Sequence, residues 1–142
     1  MKSVFLLFGL ALSSCLATHQ VQTDQAPKAI GPYSQGMVAR GTVYCSGQIG
    51  IDPKTGLMIG PDISSQTTQA LQNLTHVLNA ADSDWEHVTK VTIYLTDLDN
   101  FKKVNEIYST FLGKNLPARS TVQVVKLPKD ALIEIDCIGI QK

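Results

Sequence analysis

The sequence has no cluster of basic residues. Its 12 lysines and arginines are balanced by 12 aspartates and glutamates, and Lys102-Lys103 is the longest basic run. Proteins that bind nucleic acids through the phosphates concentrate positive charge on one face. The charge pattern therefore argues against a DNA or RNA partner, and none is expected.

Cysteine and histidine are also scarce, with three of each. No CxxC motif and no cysteine–histidine spacing of a metal site occurs, so no metal ligands are predicted. Cys45 and Cys137 each lie in an apolar strand-like pattern, where a free thiol behaves as a small buried hydrophobe. In an exported chain they could instead form a disulfide, provided that their Cα atoms lie within about 7 Å. The sequence leaves both interpretations open.

Long hydrophobic runs are absent except for nine residues from Val4 to Leu12. This run is shorter than the roughly 20 residues that span a bilayer. It follows Lys2 and precedes small residues, so residues 1–18 are typical of a secretory signal peptide. Leu12 to Cys15 also resembles a bacterial lipobox, in which Cys15 would carry a lipid anchor. We therefore predict an exported protein, periplasmic or secreted, with a cytoplasmic or mitochondrial location as the alternative.

Residues 19–142 have the composition of one folded domain, since 44% of the whole sequence is hydrophobic and only 17% is charged. Apolar residues recur at helical spacing from Ile63 to Ala81 after a capping Asp62, and again from Phe101 to Leu112. Alternating or β-branched stretches predict strands between 29 and 60, at 87–96, at 119–125 and at 131–140. This order predicts an α+β fold in which two helices cover one face of a mixed sheet.

The last predicted strand is apolar on both faces. Ile133, Ile135 and Cys137 point one way, whereas Glu134 points the other way among Leu132, Asp136, Ile138 and Ile140. An exposed apolar sheet face favours burial against further copies of the chain. A carboxylate among hydrophobic residues needs a partner or a chemical role, which makes Glu134 a candidate site residue.

Five stretches occur together in one order and spacing: AIGPYSQG (29–36), YCSGQIGIDPKTG (44–56), DNFKKVNEIY (99–108), LPARSTV (116–122) and LPKDALIEID (127–136). Over residues 26–141 the chain thereby resembles the Rid family of reactive-intermediate deaminases, also called YjgF. The resemblance implies a chorismate-mutase-like fold with a six-stranded sheet. It also implies a homotrimer whose sheets line a central barrel, with active sites in clefts between subunits.

The same resemblance implies hydrolysis of 2-aminoacrylate, 2-iminopropanoate or 2-iminobutanoate to 2-oxo acids and ammonia, without a cofactor. Arg119 is then the substrate anchor, because a planar guanidinium matches a carboxylate bidentately. Glu134 is the base that activates or orients water. Tyr33 walls the pocket and hydrogen-bonds the water or the imine nitrogen.

Substrate-binding roles are implied for Ser46 and Gly47, which let hydroxyl and backbone approach the substrate, and for Asn105 near the cleft. Each residue has a plainer interpretation as well. Tyr33 could be a core aromatic, Glu134 an ion-pair partner, Ser46 a turn residue and Asn105 a helix-surface residue. Many relatives carry cysteine at the position of Thr121, so thiol chemistry is not expected there.

Two other functions remain open from the sequence. One is a trimer that binds 2-oxo acids or acts as a chaperone without catalysis. The other is an endoribonuclease or translation inhibitor, a label attached to some relatives, against which the neutral net charge argues.

Overall fold

The computed structural model describes residues 18–142, so the apolar run at 4–12 and Cys15 lie outside the described residues. The elements are β1 (His19–Val21), β2 (Gly36–Ala39), β3 (Thr42–Ile49), α1 (Ile63–Ala80), β4 (Val88–Leu95), α2 (Phe101–Leu112), β5 (Ala118–Gln123) and β6 (Ile133–Ile140). The strands form one six-stranded sheet in the order β1-β2-β3-β6-β4-β5. Both helices contribute to the same buried core, which confirms the predicted mixed sheet with two helices on one face. Within the described part of the chain, no helix has the length and apolar character needed to cross a membrane.

Helix α1 begins as predicted. The Asp62 carboxylate accepts hydrogen bonds from the backbone N–H groups of Ser64 and Ser65, both at 3.0 Å, which satisfies donors that have no partner within the helix. Helix α2 ends at Leu112 and is capped by Gly113, whose φ of 62° suits glycine. Its apolar stripe is narrower than predicted, because Phe101 and Phe111 remain 41% and 36% exposed.

Two features of the sheet differ from the prediction. Strand β1 lies before residue 29, where the sequence predicts no strand, and it pairs with β2 at the edge of the sheet. The predicted strand at 57–59 is reduced to a single bridge between Ile51 and Met58. The bridge is held by the hydrogen bonds from the Ile59 N–H to the Gly50 carbonyl and from the Asp52 N–H to the Leu57 carbonyl. On the other edge of this stretch, the fully buried Asn73 of α1 donates from Nδ2 to the carbonyls of Ile49 and Ile51.

The two cysteines lie opposite each other on neighbouring strands. Cys45 of β3 pairs with Cys137 of β6 in the antiparallel register. Both are buried free thiols, at 7% and 1% exposure. The buried-hydrophobe interpretation therefore describes this structure.

A β-bulge interrupts the pairing of β3 with β6 directly after the cysteines. The register passes from Cys45 opposite Cys137 to Gln48 opposite Ile135, so Ser46 and Gly47 together face one residue, Asp136. A bulge of this kind bends the strand and changes the direction of nearby side chains. It lies where the candidate site residues gather.

The sheet face away from the helices keeps an apolar character. Tyr44, Val122 and Ile140 are 47%, 43% and 47% exposed. On β6, Glu134 and Asp136 share this face, because the residues between and beside them are buried under the helices. We call this surface the open face.

Candidate functional site

The predicted site residues fall into two groups in the single chain. Tyr33, Ser46, Gly47 and Glu134 line one cavity, whereas Arg119 and Asn105 line a separate groove beside α2. We call them the glutamate cavity and the arginine groove.

The pairing register explains the separation. Arg119 is opposite Val91, which is opposite Cys137, and this row faces the helices. Glu134 is opposite Tyr94 and projects from the open face. Because successive side chains of a strand alternate between faces, one copy of the chain presents Arg119 and Glu134 to opposite sides of the sheet.

One face of α2 holds the Arg119 side chain. Nη2 of Arg119 donates to Oδ1 of Asn105 at 2.8 Å. The guanidinium carbon lies 4.7 Å from the ring centroid of Tyr108 and 6.0 Å from that of Phe101. These three partners occupy positions i, i+4 and i+7 of the helix, which align on one side. Cation–π contacts and one hydrogen bond thus fix the guanidinium in the groove.

Tyr108 contributes its ring rather than an ionisable hydroxyl. Burial raises the pKa of Tyr108 to about 12, against the opposing effect of the nearby Arg119 charge. Its hydroxyl is buried and has no hydrogen-bond partner within residues 18–142. The apolar pattern of α2 predicts core positions for Phe101 and Tyr108, but not their contact with Arg119. The spacing of Phe101, Asn105 and Tyr108 was the available signal.

The glutamate cavity has a volume of about 320 Å³ and mixed walls. Its apolar lining comes from Pro27, Ile30, Ile49, Ile51 and Pro128, and its polar lining from Lys28, Tyr33, Gln35, Ser46, Gln48 and Glu134, with Gly47 between them. Burial, and secondly the nearby Asp136, raises the pKa of Glu134 above its ordinary value. No lysine or arginine of the described residues forms an ion pair with Glu134, so the ion-pair interpretation has no support in the single chain.

The remaining cavity residues have distinct surroundings. Tyr33 is 49% exposed, so it is not a core aromatic, and its hydroxyl accepts a hydrogen bond from the Ile30 N–H at 3.3 Å. Ser46 Oγ donates to the Ser34 carbonyl at 2.6 Å, which ties β3 to the loop that carries Tyr33. Gly47 packs directly against the side chain of Glu134.

Gln35 also lines the glutamate cavity, although it is not among the predicted site residues. It is 4% exposed, and its Nε2 contacts the carbonyls of Ala26 at 3.1 Å and Pro27 at 2.8 Å. Its Oε1 accepts from the Thr23 N–H at 2.7 Å. This amide fastens the segment leading into the Tyr33 loop and so shapes the cavity. In the sequence, the one indication that Gln35 lies at the cavity is its position directly after Tyr33-Ser34.

Comparison with known proteins shows one consistent similarity. The model of the family described as endoribonuclease L-PSP matches residues 23–141. The human 2-iminobutanoate/2-iminopropanoate deaminase is 43% identical over 128 residues, which cover 90% of this chain and 93% of that protein. The chloroplastic Reactive Intermediate Deaminase A of Arabidopsis thaliana is 44% identical over 127 residues, covering 89% of this chain and 68% of that protein. This chain is also similar to the crystal structure of Escherichia coli TdcF with bound serine, with 38% sequence identity and a TM-score of 0.83. The match covers 87% of this chain and 99% of that chain.

These relatives correct one prediction and establish another. The predicted export is wrong, because the Arabidopsis relative is named as chloroplastic, inside the cell, and the human relative carries the name of a deaminase of the same kind. The export prediction rested only on the composition of a nine-residue apolar run that follows one lysine, and this is weak evidence for where a protein is located. The match over residues 23–141, with at least 43% identity to both deaminases, shows that this chain belongs to the Rid family, also called YjgF or endoribonuclease L-PSP.

Proposed function

We propose that the protein hydrolyses 2-imino acids to 2-oxo acids and ammonia. Water adds to the imine carbon, the C–N bond breaks, and R–C(=NH)–COO⁻ plus H₂O becomes R–C(=O)–COO⁻ plus NH₃. The names of the human and Arabidopsis relatives support this reaction class. The structural observation that carries the proposal is the held guanidinium of Arg119 at an open groove.

Arg119 supplies the carboxylate anchor. Asn105 and the two aromatic rings of α2 hold the guanidinium in one orientation. The side chain therefore loses little conformational entropy when a ligand binds. Asn105 takes one of the two Nη2 hydrogens, and no other hydrogen bond of this side chain occurs within residues 18–142. The second Nη2 hydrogen, together with a donor on Nη1 or Nε, is therefore left for a ligand. A planar fork of this kind binds a carboxylate through two parallel hydrogen bonds, which a lysine ammonium cannot do.

Glu134 supplies the proton transfer. Its raised pKa brings the carboxylate closer to the working pH, where a general base and acid acts best. It takes a proton from the attacking water and returns it to the leaving nitrogen. Tyr33 at the rim and Ser46 within the cavity orient the water or the imine nitrogen. The apolar walls formed by Ile30 and its neighbours receive the substrate's side chain.

The complete site requires a second copy of the chain. Arg119 and Glu134 face opposite sides of one sheet, so the arginine groove of one copy must meet the glutamate cavity of the next. A head-to-tail contact of two different surfaces gives a closed ring when the rotation between copies closes, and an open filament when it does not. The family resemblance makes this ring a homotrimer, in which Tyr44, Val122 and Ile140 of the open face would be covered. Light scattering of the purified protein measures the number of copies.

The proposal is tested by following 2-iminopropanoate, generated in place by an amino-acid oxidase and trapped by semicarbazide. The wild type should lower the amount of trapped imine, and Arg119→Ala should lower kcat/KM by about 10²-fold or more. Arg40 is the chain's other arginine and is exposed, with a φ of 52°. Arg40→Asn is therefore the matched control, since asparagine tolerates that conformation and should keep full activity.

Two results would overturn the proposal. The first is an Arg119→Ala protein that retains wild-type turnover. The second is a folded, oligomeric wild type that binds 2-oxobutanoate in calorimetry but leaves the trapped imine unchanged, which would favour a binding protein instead.

A further inference from the structure

A Cβ would come closer than 3.0 Å to a neighbour at two of the described glycines, Gly47 and Gly50, and Gly47 is the one whose neighbour is a predicted site residue. A Cβ built on Gly47 would clash with Oε1 of Glu134 and would lie 2.7 Å from its Cδ and 2.9 Å from its Cγ. Non-bonded carbon atoms normally stay about 3.5–4.0 Å apart. No side chain fits at position 47 unless the side chain of Glu134 moves.

Backbone conformation does not account for this glycine. The glycines with positive φ in the described part of the chain are Gly41, Gly56 and Gly113, and a Cβ at any of them would meet nothing within 4 Å. Those three serve turns and a helix end. Gly47 is the reverse case, with an ordinary φ and no room, so it is required by its neighbour rather than by its own backbone.

The bulge places this glycine beside Glu134. Because Ser46 and Gly47 together face Asp136, the residues after the bulge shift by one, and Ile49 comes to pair with Glu134. Buried Ile133 and Ile135 hold the backbone of Glu134 on either side. Its carboxylate, without an ion pair among residues 18–142, is then confined by the bare backbone of Gly47 on one side and opens into the cavity on the other.

We propose that Gly47 is a positioning residue. Because it has no side chain, it leaves the space that the Glu134 side chain occupies, and this keeps the Glu134 carboxylate directed into the cavity. The inference rests on the proposed function, in which Glu134 transfers the proton. It assigns Gly47 a role through Glu134, in place of the direct substrate contact that the resemblance implied. Displacing a reacting group by about 1 Å can cost about 10²-fold in rate.

The first arm measures thermal unfolding of Gly47→Ala in three backgrounds at one protein concentration: wild type, Glu134→Gln and Glu134→Ala. Glutamine keeps the shape of the side chain, whereas alanine removes the three atoms that a Cβ at position 47 would meet. We expect Gly47→Ala to lower Tm by about 3–10 °C in the wild type and in Glu134→Gln. In Glu134→Ala the drop should be less than about a third of that.

Gly36→Ala is the matched control. Its φ is also not positive, and its Cβ would meet the Tyr44 carbonyl oxygen at 3.1 Å and Val77 Cγ1 at 3.2 Å, away from Glu134. It should lower Tm equally in all three backgrounds. If Gly47→Ala behaves like this control, the bulge itself needs the glycine and the proposal is wrong.

The second arm measures imine hydrolysis by Gly47→Ala. We expect kcat to fall by about 10²-fold while KM changes less than about 3-fold, because Arg119 still anchors the carboxylate. A raised KM with unchanged kcat would identify Gly47 as a substrate contact and overturn the inference. A wild type without turnover would remove the proposed function but leave the unfolding arm interpretable, so the two failures are distinguishable.

Discussion

Arg119 and Glu134 are held in different ways. Regular structure holds Arg119, since one face of α2 supplies a hydrogen bond and two aromatic rings to a side chain on β5. Irregular structure holds Glu134, since a β-bulge and the loop carrying Tyr33 form its cavity. A guanidinium needs fixed acceptors and π faces, which a helix repeats along one side. A carboxylate with a raised pKa needs removal from water, which a bulge and a loop can provide.

The largest effect that we predict from the separation of Arg119 and Glu134 occurs in assemblies that contain copies of two different variants. Arg119→Ala alone and Glu134→Ala alone should both be inactive. Copies of the two variants, unfolded together in equal amounts and refolded, should assemble at random. Each site then draws its arginine from one copy and its glutamate from the next, so about a quarter of the sites regain both groups. The measurement is the rate of imine hydrolysis by the mixed protein relative to the refolded wild type.

Refolding each variant alone is the control, and it should give no recovery. If the mixture also remains inactive while native mass spectrometry shows mixed assemblies, each copy uses its own arginine and glutamate. That result would show that the active site is not divided between two copies, although the pairing register places Arg119 and Glu134 on opposite faces of one sheet.

The second prediction concerns the different pH responses of the halves. The pKa of Glu134 is raised in the folded chain, so its contribution to stability is fully present below the unfolded pKa, near 4.5, and is lost as pH rises through the folded value. Glu134→Gln should therefore raise Tm at pH 7, and the gain should shrink towards pH 4. The same substitution should abolish turnover. Melting curves between pH 4 and pH 8 provide the measurement.

Arg119→Ala serves as the contrast in that series, because a guanidinium keeps its charge throughout this range. Its change in Tm should vary less with pH than the change for Glu134→Gln. A gain for Glu134→Gln that is equal at pH 4 and pH 7 would show that burial of charge is not its cause.

The smallest effect is expected inside the arginine groove. Tyr108→Phe keeps the ring over Arg119 and removes a hydroxyl that has no partner in residues 18–142. It should leave kcat/KM within about 2-fold and raise Tm by a few °C, since an unsatisfied buried hydroxyl costs about 1–3 kcal/mol. Tyr108→Leu removes the ring and should raise KM by about 5-fold, from the loss of about 1 kcal/mol of cation–π attraction. Equal losses in both variants would instead give the hydroxyl a role in the reaction.

The elements of this fold could be predicted because their signals are local. The helical spacing from Ile63 onwards and the alternation of β6 each lie within one stretch of sequence and need no knowledge of neighbours. Strand β1 was missed because its three residues are too few to show a period. The hairpin strand at 57–59 was overestimated because Leu57 and Ile59 resemble core residues in the sequence but remain 69% and 45% exposed.

The site could be predicted only as a set of residue types. The motifs singled out Arg119 and Glu134, but their placement on opposite faces depends on which residues of β4 each strand faces. That register is a property of three strands together. The crowding at Gly47 likewise depends on a bulge, and one inserted residue reverses the alternation on which a sequence pattern rests.

The paired thiols at the middle of the sheet have a practical consequence. Cys45 and Cys137 are the two cysteines within residues 18–142, and both are covered by the helices and the neighbouring strands. An alkylating reagent reaches them only when β3 and β6 separate or the helices lift away. Their labelling rate therefore measures how often the centre of the sheet opens.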